Sequence, residues 1–109
     1  MITVLVVSAP GRARDLDEAA ARMPSLELLH ASDVEQALDR LARNRRIDAV
    51  LLLLDHESAS EIVRVVLEED PGAPPLYAQA TGGEIAGVRA LPASTAEELL
   101  GSIVSSLSS

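Results

Sequence analysis

Strand-like and helix-like patterns alternate along the whole chain, and this alternation constrains the fold more than any other feature. Ile2 to Val7 is β-branched and nearly continuously apolar, as expected of a strand covered on both faces. Pro10-Gly11 breaks it. From Arg12 to Met23, Ala13, Leu16, Ala19, Ala20 and Met23 recur at helical spacing, and Pro24 ends the pattern. Leu26 to His30 reads as a second strand. Ser32 with Glu35 has capping-box spacing, and the helix after it carries Val34, Ala37, Leu38 and Leu41 on one face.

Ile47 to Leu54 is the most apolar stretch and predicts a central strand. Ser58 with Glu61 repeats the capping-box spacing ahead of Ile62, Val63, Val65, Val66 and Leu67, and Asp70-Pro71-Gly72 stops that helix. Leu76 to Ala80 predicts a fourth strand and Val88 to Leu91 a fifth. Ser94 with Glu97 supplies a third capping box, before a helix that buries Leu99, Leu100, Ile103, Val104 and Leu107. Strands separated by helices of this length imply right-handed crossovers and a parallel sheet covered on both faces. We expect one α/β domain over residues 1–105, with 106–109 a Ser-rich tail or the start of a linker.

Composition narrows the functional classes. With 17 acids against 9 bases the chain carries a formal charge of −8, which argues against a nucleic-acid surface. All nine bases are arginine, and Arg40, Arg43, Arg45 and Arg46 read as a solvated helix end. The absence of cysteine removes disulfides, thiol nucleophiles and thiolate metal sites. Tyr77 is the only aromatic, so Leu, Val, Ile and Ala must fill the core. The N-terminus lacks the features of a signal peptide. Ala49 to Leu54 is far shorter than the roughly 20 residues that cross a bilayer. A cytoplasmic protein without membrane contact is the expectation.

The order of elements resembles the receiver domain of two-component response regulators, a flavodoxin-like fold with strand order 2-1-3-4-5. Leu28 to Leu38 resembles the family's second strand entering its second helix, and Ile47 to Leu54 its third strand. Leu91 to Leu100 resembles the end of strand five and the start of the last helix. The resemblance implies chemistry that this chain does not carry. Receivers hold Mg²⁺ with an acidic pair after strand one and accept a phosphoryl group on an Asp ending strand three. A Ser or Thr after strand four and a Lys before a proline after strand five contact that group. Here Ser8 and Ala9 stand at the acidic pair, and Leu91 stands before Pro92 in a chain without lysine. The phosphoacceptor position falls on Leu53, two residues short of Asp55, and the hydroxyl position on Ala80, next to Thr81.

The resemblance departs in architecture as well. Only Thr81 to Gly87, seven residues with three glycines, separates strands four and five. Receivers place their fourth helix there, so that helix must be missing or reduced. Seven extended residues reach about 23 Å, enough for a bare loop to retrace the sheet edge and start a parallel strand. A tight turn at Thr81 to Glu84 would instead make the last strand antiparallel.

Other constellations are bland. Asp55-His56-Glu57 reads as a polar loop, since consecutive residues of an extended segment diverge and rarely converge on a metal. His30 ends an edge strand. Ser8 lacks the glycine-flanked elbow of hydrolases. Gly82-Gly83 is too short for a phosphate cradle. Asp15, Asp17 and Glu18 read as acids of a first helical turn.

These residues point to a phosphorylation-independent interaction module of bacterial signalling or transcriptional control, with no catalytic residue, cofactor or metal. Ser8, Ala9, Asp55, Thr81 and Leu91 line its vestigial pocket. Loss of the fourth helix leaves Leu76, Ala78, Val88 and Ala90 as an interaction surface for a protein partner or a second copy. Two alternatives remain open: a small-molecule sensor using the crevice at the carboxyl edge of the sheet, and a receiver retaining phosphotransfer to Asp55.

Overall fold

A computed structural model describes residues 2–8, 10–43, 46–53, 56–69, 75–79, 88–91 and 95–108. Along the chain run β1 (Ile2–Ser8), α1 (Pro10–Ala20), β2 (Leu26–Ala31), α2 (Val34–Arg43), β3 (Ala49–Leu53), α3 (His56–Glu69), β4 (Leu76–Gln79), β5 (Val88–Leu91) and α4 (Ala96–Ser108). The strands form one sheet in the order β2-β1-β3-β4-β5. Every pair is parallel, including β4 with β5, where Leu76 meets Val88 and Gln79 meets Leu91. The antiparallel alternative for the last strand is therefore excluded. This is the doubly wound, flavodoxin-like order, with four helices among the described residues.

Strand alternation divides the core in two. Val4, Val6, Ala49, Leu51, Tyr77 and Leu91 pack with Leu16 and Ala19 of α1 and Leu99, Leu100 and Ile103 of α4. Leu5, Val7, Val50, Leu52 and Leu76 point the other way and pack with Ala37 of α2 and Ala59, Ile62, Val63 and Val66 of α3. β1 and β3 are central, so both of their faces are needed, which is why they read as continuous apolar runs.

Helix boundaries depart from the sequence expectation in ways that have local causes. Helix α1 starts at Pro10 rather than Arg12, because a proline in the first helical position supplies a suitable φ and forgoes an N–H that would lack a partner anyway. Asp15, Asp17 and Glu18 consequently lie beyond the first turn. At its other end, Arg22 N–H donates to Ala19 O at 3.1 Å and Met23 N–H to Ala20 O at 2.9 Å, a tightened turn ahead of Pro24.

Two capping boxes are displaced by one residue. Asp33 Oδ1 accepts from Gln36 N–H at 2.8 Å, and Gln36 Oε1 reaches back to Ser32 N–H at 3.0 Å. Thr95 Oγ1 accepts from Glu98 N–H at 3.2 Å. Ser32-Asp33 and Ser94-Thr95 each offer two adjacent capping residues with an acid or amide three positions on, so spacing alone does not choose between them. Helix α3 begins at His56, which places Ser58 inside its first turn instead of at the cap. Helix α4 runs through Ser108, so residues 106–108 continue the last helix rather than forming a tail.

Candidate functional site

The carboxyl ends of the strands share one edge, closed by Ser8 of β1, Leu53 of β3, Gln79 of β4 and Leu91 of β5. Of the residues expected to line a pocket there, Ala9, Asp55 and Thr81 lie outside the described residues. Ser8 and Leu91 are described, and both are buried, at 3% and 5% exposure. Leu91 belongs to the α1/α4 core with Leu99, Leu100 and Ile103. The reason is geometric: an inward-pointing residue ending β5 is covered as soon as α4 folds back over the sheet. Ser8 shares the face of Val4 and Val6 by alternation, and its Oγ has no hydrogen-bond partner.

The four residues of the expected interaction surface differ in exposure. Leu76 is 4% exposed and belongs to the α2/α3 core, because α3 reaches over the start of β4. Ala78 and Val88 are half-buried against that same cluster, while Ala90, opposite Ala78 in register, is exposed. Leu67 of α3, 49% exposed, is the exposed large hydrophobic among the described residues. It lies roughly a quarter-turn from the buried Ile62–Val66 stripe of its helix. Given the right-handed crossovers and the sense of an α-helix, that flank is turned toward β4 and β5 and away from α2.

Four side-chain contacts have no local sequence signal. Asp17 Oδ1 of α1 meets His30 Nε2 of β2 at 2.7 Å. Arg22 donates to Glu97 across the gap between α1 and α4. The Tyr77 hydroxyl and the Arg89 guanidinium both donate to Ser106 Oγ, at 3.1 and 2.7 Å. Each joins residues far apart in sequence, so only the hydrophobic periodicity that docks the helices hinted at them.

A cleft of about 540 Å³ lies between α1 and the start of α4, with Leu16, Ala19, Leu53 and Ala96 among its apolar walls and Asp15, Glu18 and Glu97 among its acids. Among the described residues no group of three His, Asp or Glu side chains could hold a metal ion, and no helix is long and apolar enough to cross a membrane.

No family model matches the chain, and no curated protein does. Among solved structures it is similar to a chain in the crystal structure of the phosphorylated P1 domain of CheA3 in complex with CheY6 from R. sphaeroides. The two share 21% identity and a TM-score of 0.68, over 99% of this chain and 98% of that one. At that identity the likeness establishes the fold.

Proposed function

We propose that this chain is a cytoplasmic, phosphorylation-independent receiver-like module of bacterial signalling that acts by binding protein rather than as an enzyme. One observation carries the proposal. Where the family's lysine would reach the phosphoryl group, Leu91 is packed into the apolar core. Phosphoryl transfer needs concentrated positive charge where negative charge gathers, and a buried leucine in a chain without lysine supplies none. Ser8, neutral and buried at the end of β1, adds no anionic ligand for Mg²⁺.

Signalling through contact fits the similar structure, whose complex pairs two signalling proteins. It also fits the β4–β5 corner, where Ala90 is exposed beside half-buried Ala78 and Val88, and the exposed Leu67 on the flank of α3 turned that way. A second copy of the chain or a partner protein would cover this corner. Incubation with acetyl phosphate and Mg²⁺, followed by intact mass, should give no phosphoryl adduct. An adduct abolished by Asp55→Ala would overturn the proposal in favour of a functional receiver.

One observation favours a second reading, small-molecule sensing. The cleft between α1 and α4 has the volume of a metabolite site, and its apolar walls meet polar groups at the rim. Leu53, the last residue of β3, brings the cleft to the carboxyl edge of the sheet. A thermal-shift screen against small metabolites, with Leu53→Arg as the blocking variant, separates the two: a hit lost in the variant supports sensing.

A further inference from the structure

Among the described residues two buried side-chain atoms lack a hydrogen-bond partner, Ser8 Oγ and His30 Nδ1. Buried polar atoms seldom stay unpaired, because desolvation without a replacement bond is costly. The topology makes these two neighbours. β1 and β2 pair in parallel, with Val6 opposite His30 and Val7 opposite Ala31, so Ser8 lies one diagonal step from His30. Register partners share a face, and His30 therefore projects to the α1/α4 side with Val6 and Ser8, where Asp17 of α1 meets it.

Their chemistry is complementary. A carboxylate only accepts, so Asp17 Oδ1, 2.7 Å from His30 Nε2, fixes the proton of the neutral imidazole on Nε2. Nδ1 is left as a bare acceptor, and the Ser8 hydroxyl is a donor. Adjacent strands about 4.8 Å apart, with a two-residue offset of about 6.6 Å, put the two Cα atoms roughly 8 Å apart. No direct hydrogen bond joins Ser8 Oγ to His30 Nδ1, and at that Cα separation two side chains on one face can share a bridging water.

We propose that Ser8 and His30 hold one buried water between β1 and β2, beneath α1. The water accepts from the Ser8 hydroxyl and donates to His30 Nδ1, which completes a chain from Ser8 at the carboxyl edge to Asp17 on the outer surface of α1. The site stands on these groups alone and is independent of the proposed function.

Side-chain ¹⁵N NMR of His30 at about pH 9, well above the ordinary imidazole range, tests it. In the wild-type protein the proton should sit on Nε2, and His30 ring or Ser8 β protons should cross-relax with a long-lived water. In Ser8→Ala the water signal should vanish and the Nδ1 resonance should move toward that of an unbonded imidazole nitrogen. A proton on Nδ1, no water signal in the wild type, or an Nδ1 resonance unmoved by Ser8→Ala each overturns the proposal. The first two readouts use the wild-type chain, so they decide even if the variant does not fold.

Discussion

The hydroxyl of Tyr77 donates to the Ser106 Oγ at 3.1 Å, tying the one aromatic ring of the chain to the last turns of α4. Tyr77 is 2% exposed, so its polar tip needs a partner at the rim of the core. Arg89 of β5 donates to the same oxygen at 2.7 Å, and Ser106 thereby joins β4, β5 and α4. Ser106→Ala should lower the stability measured by urea unfolding by about 1 kcal/mol. Tyr77→Phe should cost a similar amount, and the double variant less than the sum, because both changes break one bond. A silent Ser106→Ala would mean that the end of α4 is frayed.

Restoring the family's lysine should damage the fold before it restores chemistry. Leu91 is 5% exposed, between the end of β5 and Leu99, Leu100 and Ile103 of α4. Leu91→Lys forfeits that apolar burial, a loss of about 1.5–3 kcal/mol, and turns an ammonium toward the core unless the side chain escapes to the edge. The thermal midpoint should fall, and acetyl phosphate should still leave the mass unchanged. A stable Leu91→Lys protein that acquires a phosphoryl group would show that the remaining pocket is competent.

Mg²⁺ should not stabilise the native protein. A ligand that binds only the folded state raises stability with the logarithm of its concentration above Kd. Ser8 offers a single neutral oxygen and Leu91 none, whereas Mg²⁺ takes carboxylates in near-octahedral geometry. Thermal scans in millimolar Mg²⁺ and in chelator should superimpose. A raised midpoint in Mg²⁺ would assign ligands to this edge.

The sequence carried the architecture because the sheet's demands are periodic. Val4 to Val7 and Ala49 to Leu52 must satisfy two cores at once, and unbroken apolar runs leave few other placements. The site was less legible. Leu91 could be recognised as missing a lysine, but whether it faced a pocket or the core depends on where α4 lands, which no local pattern encodes. Leu76 depends on the same kind of contact: alternation gave its face, and coverage of that face was decided by the reach of α3. Asp17–His30 and Arg22–Glu97 depend on the approach of α1 to β2 and α4, so read singly Asp17 is a first-turn acid, His30 the end of an edge strand and Glu97 half of a capping box.

Self-association, if this domain works as a pair, should run through the β4–β5 corner. Leu67 is 49% exposed on the flank of α3 turned toward that corner, and Ala90 of the edge strand is exposed beside half-buried Val88. Val88 also contributes to the α2/α3 core, so Val88→Glu would confuse folding with association. Leu67→Glu is the cleaner probe. A charge at an exposed helix position should change stability by no more than about 0.5 kcal/mol. It would, however, place two carboxylates at a two-fold contact that buries Leu67 from both copies, where unpaired charges are costly. Sedimentation of the wild-type chain should give a dimer, and Leu67→Glu should shift it to monomer with the thermal midpoint unchanged. A wild-type monomer at high micromolar concentration would eliminate the second copy and leave the corner to a different partner protein.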